Sequence, residues 1–504
     1  MVKHRVIIEP LGIVCLVDRG TPMQEVLRNF HIDFPCGGKG LCGQCKIKVL
    51  AGEISMDESH TSWLAKKGLL NEWRLACLST VEDDLVIEIP QASMQIQTDK
   101  TFVTKFVPEE GYGVAVDLGS TTIVAQLINL MNNQIIDNCT EVNPQISFGA
   151  DIISRISYAM QKNANLMKLC NIVRECIAKM VDSLITRNSI SSLKKVVLAG
   201  NSVMHHLFAG YDVTSLAVAP FQSTRNEGYQ FSSDELGWNF MPSCLVEFLP
   251  NLSHFVGSDI LCGIQSCGMM EGENYKLLID LGTNGEIALG NQHHILYAST
   301  AAGPAFECIN ISCGMRAVEG AIYAVDENGE HECKYKTIGN GRPKGICGSG
   351  LIEVIHHLLR NGDIDMTGSF TDLERRDICI TEEVKLTIED IRGFQLAKAA
   401  LAAGVELMLK ECNIKASDIS QVFFTGGLGN YLNVDKIKEL GLFINFNSKC
   451  ITRLDNAALL GCRQFLFDSN RSKIGLILEK KKFCSLETQK EFQDIFCEQM
   501  FFPN

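Results

Sequence analysis

Cys36-Gly37-Gly38-Lys39-Gly40-Leu41-Cys42-Gly43-Gln44-Cys45 is the stretch that most narrows what this chain can be. Its three cysteines fall in the order C-x5-C-x2-C, four glycines lie among them, and a fourth cysteine, Cys77, follows in Arg-Leu-Ala-Cys-Leu. Four thiolates spaced in this way suit a [2Fe–2S] cluster of the ferredoxin kind, which takes three ligands from one loop and one from a distant segment. Gly37, Gly38, Gly40 and Gly43 let the backbone curl around an inorganic core and turn amide hydrogens toward sulfide. Cys36, Cys42, Cys45 and Cys77 are therefore the candidate iron ligands, and the chain is expected to carry one electron at a time. Zinc also accepts four cysteines, but a zinc ribbon uses two Cys-x-x-Cys knuckles and only Cys42 and Cys45 make one here. A disulfide needs no glycine-padded triple. The first spacing is one residue longer than the plant-type pattern, which bears on the subclass rather than on the cluster.

Outward from this loop, residues 3–9 and 12–17 are rich in β-branched residues and predict a hairpin turned at Pro10 and Leu11. Thr21-Pro22 predicts a short helix through Phe30, with the threonine as cap and the proline at the first helical position. Residues 46–50 and 84–89 are strand-like. Strands, helix, loop and further strands follow the order of a β-grasp ferredoxin, completed within residues 1–92. Residues 93–110 are polar, lack either period, and predict a linker on which the redox module could swing.

At Gly111 the character of the sequence changes. An apolar strand from Tyr112 runs into Asp117-Leu118-Gly119-Ser120-Thr121-Thr122 and resumes at Ile123. An acidic, glycine and hydroxyl turn between strands can set backbone amides and hydroxyls against a phosphate, and its carboxylate can hold magnesium through water. The pattern recurs: a strand from Leu277 ends in Asp280-Leu281-Gly282-Thr283-Asn284-Gly285-Glu286, and a third glycine turn, Thr425-Gly426-Gly427-Leu428-Gly429-Asn430, follows Val422-Phe423-Phe424. Two like units predict a duplicated domain closing on one nucleotide. Between them Leu166, Cys170, Val173, Ile177, Met180 and Leu184 share one helical face, a second helix is expected over 391–410, and a buried strand over 196–200 meets a helix at Asn201-Ser202. Strands alternating with helices give an α/β class for residues 111–465, with lobes at 111–275 and 276–465 and a C-terminal extension at 466–504.

Composition excludes several classes. The 504 residues are 46% hydrophobic and 21% charged, as in a globular protein of several domains. A net charge of −13 without a basic block argues against a nucleic-acid partner. The amino end lacks a signal peptide's apolar core and no run of about 18 apolar residues occurs, so a cytoplasmic protein without a membrane association is expected. Its 21 cysteines then stand as reduced thiols, suited to life without oxygen. Cys262 with Cys267 and Cys308 with Cys313 read as small buried residues, His205-His206, His293-His294 and His356-His357 as ordinary histidines, and Lys480-Lys481-Lys482 as a solvated face.

The three turns together resemble the actin, sugar-kinase and heat-shock ATPase superfamily, whose duplicated fold is ribonuclease H-like. Joined to the ferredoxin loop, Ala302-Gly303-Pro304-Ala305-Phe306-Glu307, Ile311-Ser312-Cys313-Gly314-Met315-Arg316-Ala317 and Gly348-Ser349-Gly350-Leu351-Ile352 resemble the reductive activators of corrinoid proteins over nearly the whole chain. The resemblance implies ATP-dependent one-electron reduction of Co(II) to Co(I) in a methyltransferase system. It implies Asp117 and Asp280 as catalytic carboxylates with Mg2+, and Gly119, Ser120, Thr121, Thr122, Gly282, Thr283 and Asn284 around the phosphates of ATP. Gly426, Gly427 and Gly429 would face the adenosine. The implied partners are a Co(II) corrinoid protein and a low-potential donor such as a ferredoxin or flavodoxin; a homodimer is left open. A plant-type cluster near roughly −400 mV needs such help to reduce a corrinoid. One departure stands out: Cys308 occupies a position where the family pattern leads one to expect glycine. Two other readings remain: an activator of a radical 2-hydroxyacyl-CoA dehydratase, which would use a [4Fe–4S] cluster, and a non-catalytic redox-sensing scaffold.

Overall fold

A computed structural model of the chain describes residues 3–9, 13–27, 45–56, 58–66, 72–89, 106–149, 151–218, 225–240, 243–282, 284–308, 310–326, 334–426, 433–442 and 445–503. They fall into two units. One gathers the described residues up to 89 with 112–129 and 135–248; the other holds 106–111, 130–134 and 249–503.

In the first unit, β1 (Lys3–Glu9), β2 (Ile13–Asp18), β3 (Lys46–Ala51), β4 (Trp73–Leu75) and β5 (Leu85–Glu88) form one sheet in the order β2-β1-β5-β3-β4. β1 runs antiparallel to β2 and parallel to β5, the arrangement of a β-grasp. Alternation sends Val6, Ile8, Ile47, Leu85 and Ile87 into its core. Helix α1 (Met23–Val26) starts later than the sequence predicts. Thr21-Pro22 instead pairs with Thr80-Val81 as a short antiparallel ladder, and the Thr21 hydroxyl donates to the Asp18 carbonyl at 2.7 Å rather than capping the helix. The backbone ladder outcompetes the cap because it satisfies groups on two segments at once. Phe30 and the glycine loop before Cys45 lie outside the described residues.

A second sheet in this unit takes β6 (Tyr112–Leu118), β7 (Thr122–Asn129), β8 (Gln134–Val142), β9 (Lys195–Gly200), β10 (Tyr229–Ser232) and β11 (Leu245–Phe248) in the order β8-β7-β6-β9-β11-β10. β6 and β7 are an antiparallel hairpin, and β9 lies parallel to β6. Helices α2 (Ile152–Met160), α3 (Asn163–Arg187) and α4 (Ser202–Ala209) pack on it. All six apolar positions expected on one face of α3 are buried.

The second unit repeats the plan. After α5 (Ser258–Ser266), strands β12 (Tyr275–Leu281), β13 (Gly285–Gly290) and β14 (Ile295–Thr300) form an antiparallel meander. Helices α6 (Gly348–Asn361) and α7 (Ile388–Glu411) follow, the latter opened by a Thr387–Asp390 capping box. Then β15 (Ile419–Gly426) aligns parallel to β12 and β16 (Ile451–Arg453) parallel to β15. A meander with two parallel strands added beside its first strand occurs in both sheets, which is the duplicated ribonuclease H-like fold.

The carboxy-terminal residues are built into this second unit. Beyond α8 (Ala457–Phe465) and α9 (Asp468–Lys480), β17 (Lys481–Phe483) adds parallel to β14. The lysine run therefore closes α9 and opens an edge strand rather than forming a solvated face: Lys480 and Lys481 donate to the carbonyls of Gln292 and Leu252, and only Lys482 is exposed, against Glu411 at 2.7 Å. An edge strand offers unpaired backbone groups, and this segment meets them. After α10 (Phe492–Gln499), Phe502 enters the core and stacks on Phe394. Part of the expected linker is also anchored. Phe106 lies 4.8 Å from the Phe467 ring and the Asp468 amide donates to Glu109 at 2.6 Å; residues 90–105 lie outside the described residues. Among the described residues no helix is long and apolar enough to cross a membrane.

Candidate functional site

Cys45 immediately precedes β3 and is buried, while Cys77 sits in the 3-10 turn Ala76–Leu78 that follows β4. The Ala76 amide donates to the Cys45 carbonyl at 2.9 Å, which draws that turn against β3. The two sulfurs stand 3.2 Å apart, and neither is in a disulfide. A disulfide would need about 2.05 Å, so this is convergence of two soft donors and not a bond. Two thiols brought together from separate segments fit the half of an iron–sulfur site that the described residues include. Cys36 and Cys42 lie outside them.

The first acidic turn links β6 to β7. Asp117 pairs with Val124 and Leu118 with Ile123, and the Gly119 amide donates to the Thr122 carbonyl at 3.1 Å. A Cβ on Gly119 would stand 2.5 Å from that carbonyl oxygen, so the turn requires glycine. Ser120 and Thr121 form its tip. Three residues that sequence reasoning missed as part of this site brace it. Asn143 donates through Nδ2 to the Gly119 carbonyl at 2.9 Å, Asn201 through Nδ2 to the Ser120 hydroxyl at 2.9 Å, and Arg155 through Nη2 to the Ser120 carbonyl. Only Asn201 carried a signal, as the cap of the helix that follows β9.

The second turn links β12 to β13. The Gly282 amide donates to the Asn284 carbonyl at 3.2 Å; Thr283 lies outside the described residues. Asp280 is paired with Glu286 across the hairpin and with Thr425 on β15. Burial first, and then the negative charges of Asp259 and Asp280, push the Glu286 carboxyl well above the usual carboxylate range. Gly426, at φ +108°, approaches so closely that a Cβ would lie 2.4 Å from the Leu281 carbonyl and 2.7 Å from Asp280 Oδ1. Asp280, Gly282, Asn284 and Gly426 are thus gathered at one end of one sheet, with Glu286 beside them. Thr425 accepts the Ala457 amide at 3.2 Å and ties this end to α8. Gly427 and Gly429 lie outside the described residues.

Cys308 does what a glycine would do there. It holds φ at +55° and is buried, its amide donating to the Ala305 carbonyl at 3.0 Å. Burial pushes its thiol well up, which makes it a poor ligand or nucleophile. His205 is likewise a core residue: its ring meets the Glu227 carbonyl at 3.2 Å and burial lowers its pKa to about 3. His356 contacts Glu439 at 2.6 Å.

Residues 6–82 match the family model of the 2Fe-2S iron-sulfur cluster binding domain. Residues 112–272 match the RACo middle region, and 274–504 match the C-terminal domain of RACo, the ASKHA domain. The corrinoid activation enzyme RamQ of Eubacterium limosum is 32% identical over 391 residues, 72% of this chain and 65% of that protein, so the chain spans just under two thirds of RamQ. A Co(II) methylated amine-specific corrinoid protein reductase of Methanosarcina barkeri is 23% identical over 400 residues, 73% of this chain and 72% of its own. The solved structure of a reductive activator for corrinoid, iron-sulfur protein superposes with a TM-score of 0.69 at 26% identity, over 99% of this chain and 98% of that one. In domain order and in fold, the chain is similar to the reductive activators of corrinoid proteins.

Proposed function

We propose that this protein uses ATP to drive the one-electron reduction of the Co(II) form of a corrinoid protein to Co(I) in a methyltransferase system. The observation that carries this reading is the coexistence, in one chain, of thiols converging at 3.2 Å on a β-grasp sheet and a duplicated α/β fold with acidic glycine turns at its strand ends. Cys36, Cys42, Cys45 and Cys77 would hold the [2Fe–2S] cluster, which when bound supplies a one-electron carrier. Asp117 with Gly119, Ser120, Thr121 and Thr122, and Asp280 with Gly282, Thr283 and Asn284, bind the phosphates of ATP. Gly426, Gly427 and Gly429 admit the adenosine.

Among the described residues no three His, Cys, Asp or Glu side chains gather as a metal site. Mg2+ commonly uses one or two carboxylates together with water and phosphate oxygens, which is what Asp117 and Asp280 can offer. In this reading residues 1–92 are the redox module, 93–110 the linker, 111–275 and 276–465 the ATPase lobes, and 466–504 an extension of the second. Electrons come from a low-potential donor such as a ferredoxin or flavodoxin in the cytoplasm.

The test is anaerobic visible spectroscopy of the purified protein with a Co(II) corrinoid protein and excess low-potential reductant. Co(I) absorbance is expected to grow only when ATP is added; equal growth without ATP would overturn the reading.

A further inference from the structure

Three consecutive carbonyl oxygens of the first phosphate turn are held by donors of the same unit. Gly119 C=O accepts from Asn143 Nδ2 at 2.9 Å, Ser120 C=O from Arg155 Nη2, and Thr121 C=O from the Asn143 amide at 2.9 Å. In a planar trans peptide the C=O and the following N–H point opposite ways. Holding the carbonyls of Gly119 and Ser120 toward the protein therefore turns the amides of Ser120 and Thr121 away from it, as an anion requires.

Arg155 is the largest of these donors and is wholly buried. Its Nε donates to the Gly149 carbonyl at 2.6 Å and its Nη1 to Gln145 Oε1 at 3.4 Å, so the guanidinium is fixed along more than one edge before it reaches the turn. A Cβ on Gly149 would lie 2.7 Å from the Arg155 backbone nitrogen, which shows how tightly the two segments cross. A cation seated in a dry interior one peptide away from a phosphate acts with little screening.

We propose that Arg155 is the positioning residue of the first phosphate turn, holding the Ser120 carbonyl inward so that the turn's amides face the phosphates of ATP. Arg155 touches no nucleotide and acts through Ser120. The inference rests on the ATP reading given above.

The test uses the full chain and measures affinity for ATP, ADP and adenosine by calorimetric titration and competition. Arg155→Lys keeps the charge but cannot serve Gly149 and Ser120 together, because an ammonium lacks the planar fork. ATP and ADP are expected to weaken roughly tenfold to a hundredfold, the loss of a charge-assisted hydrogen bond, while adenosine is unaffected. Asn201→Ser keeps a cap oxygen for the amides of Val203 and Met204 but loses the reach to the Ser120 hydroxyl, and should show the same phosphate-selective loss if Arg155→Lys does not fold. Wild-type affinity for ATP in both variants, or an equal loss for ATP and adenosine, would overturn the positioning role while leaving the ATP reading intact. A wild-type chain that binds ATP no better than adenosine would overturn both.

Discussion

Gly426→Ala tests the contact between the end of β15 and Asp280 with a built-in control. At φ +108° an alanine is disfavoured by about 1–2 kcal/mol from backbone strain alone. Its Cβ would also stand 2.4 Å from the Leu281 carbonyl and 2.7 Å from Asp280 Oδ1, and the first of these is backbone held in a sheet ladder. Relieving that overlap adds about 1–3 kcal/mol, so the total loss is about 2–5 kcal/mol. Gly111 has nearly the same torsion, φ +100°, and nothing within 4 Å of its would-be Cβ. Gly111→Ala should therefore lose only the strain, about 1–2 kcal/mol. Chemical denaturation of the two variants and the parent reads the difference directly. A second readout is protection by ATP, about 2.7 kcal/mol at a hundredfold excess over Kd, which should persist in Gly111→Ala and disappear in Gly426→Ala as Asp280 is pushed aside. If Gly426→Ala costs no more than Gly111→Ala, or keeps full ATP protection, the close packing of this turn on Asp280 has no part in stability or nucleotide binding.

Other outcomes follow from single side chains. Cys77→Ala should abolish the visible absorption and the complement of about two irons per chain expected of a [2Fe–2S] protein, while ATP protection survives; full iron content in that variant would rule Cys77 out as a ligand. Glu286 has its pKa raised by burial and by Asp259 and Asp280, so the folded state holds a proton that the unfolded chain releases. Its contribution to stability is present below the unfolded value of 4.5 and is lost as the pH rises toward and through the folded value. Glu286→Gln should accordingly gain on the parent as the pH is raised from mildly acidic to neutral, and parallel stability curves would refute this. Phe502→Ala removes a buried ring stacked on Phe394 and should cost about 3–5 kcal/mol in denaturation. A loss below about 1 kcal/mol, as at an ordinary surface site, would mean the carboxy-terminal segment is not part of the second core.

Local patterns were the legible part of this protein. The strands around Asp117 and Asp280 could be read because apolar runs stop at an acidic glycine turn and resume, and α3 because six apolar residues recur at helical spacing. The order of strands, helix and loop likewise pointed to the β-grasp that the sheet order shows. Cys308 stands where the family resemblance leads one to expect glycine, and the positive φ it keeps explains why the position is unusual. What misled were segments whose fate depends on distant partners. Thr21-Pro22 has the composition of a helix start, yet Thr80-Val81 offered a ladder; Lys480-Lys481-Lys482 has the composition of a solvated face, yet the free edge of β14 offered backbone groups.

The braces of the first acidic turn were hidden for the same reason. Asn143, Arg155 and Asn201 lie 24, 35 and 81 residues from the turn atoms they hold, and only Asn201, the cap of α4, stands out within its own segment. Which residues could bind iron and phosphate, and on what kind of strand–turn–strand unit, follows from neighbours in the chain, because turn geometry and strand or helix periodicity act over a few residues. That Cys45 meets Cys77, that Gly426 closes on Asp280 and that a buried guanidinium sits behind Ser120 came only with chain closure, because hydrogen bonds and packing between remote segments exist once the sheets have assembled.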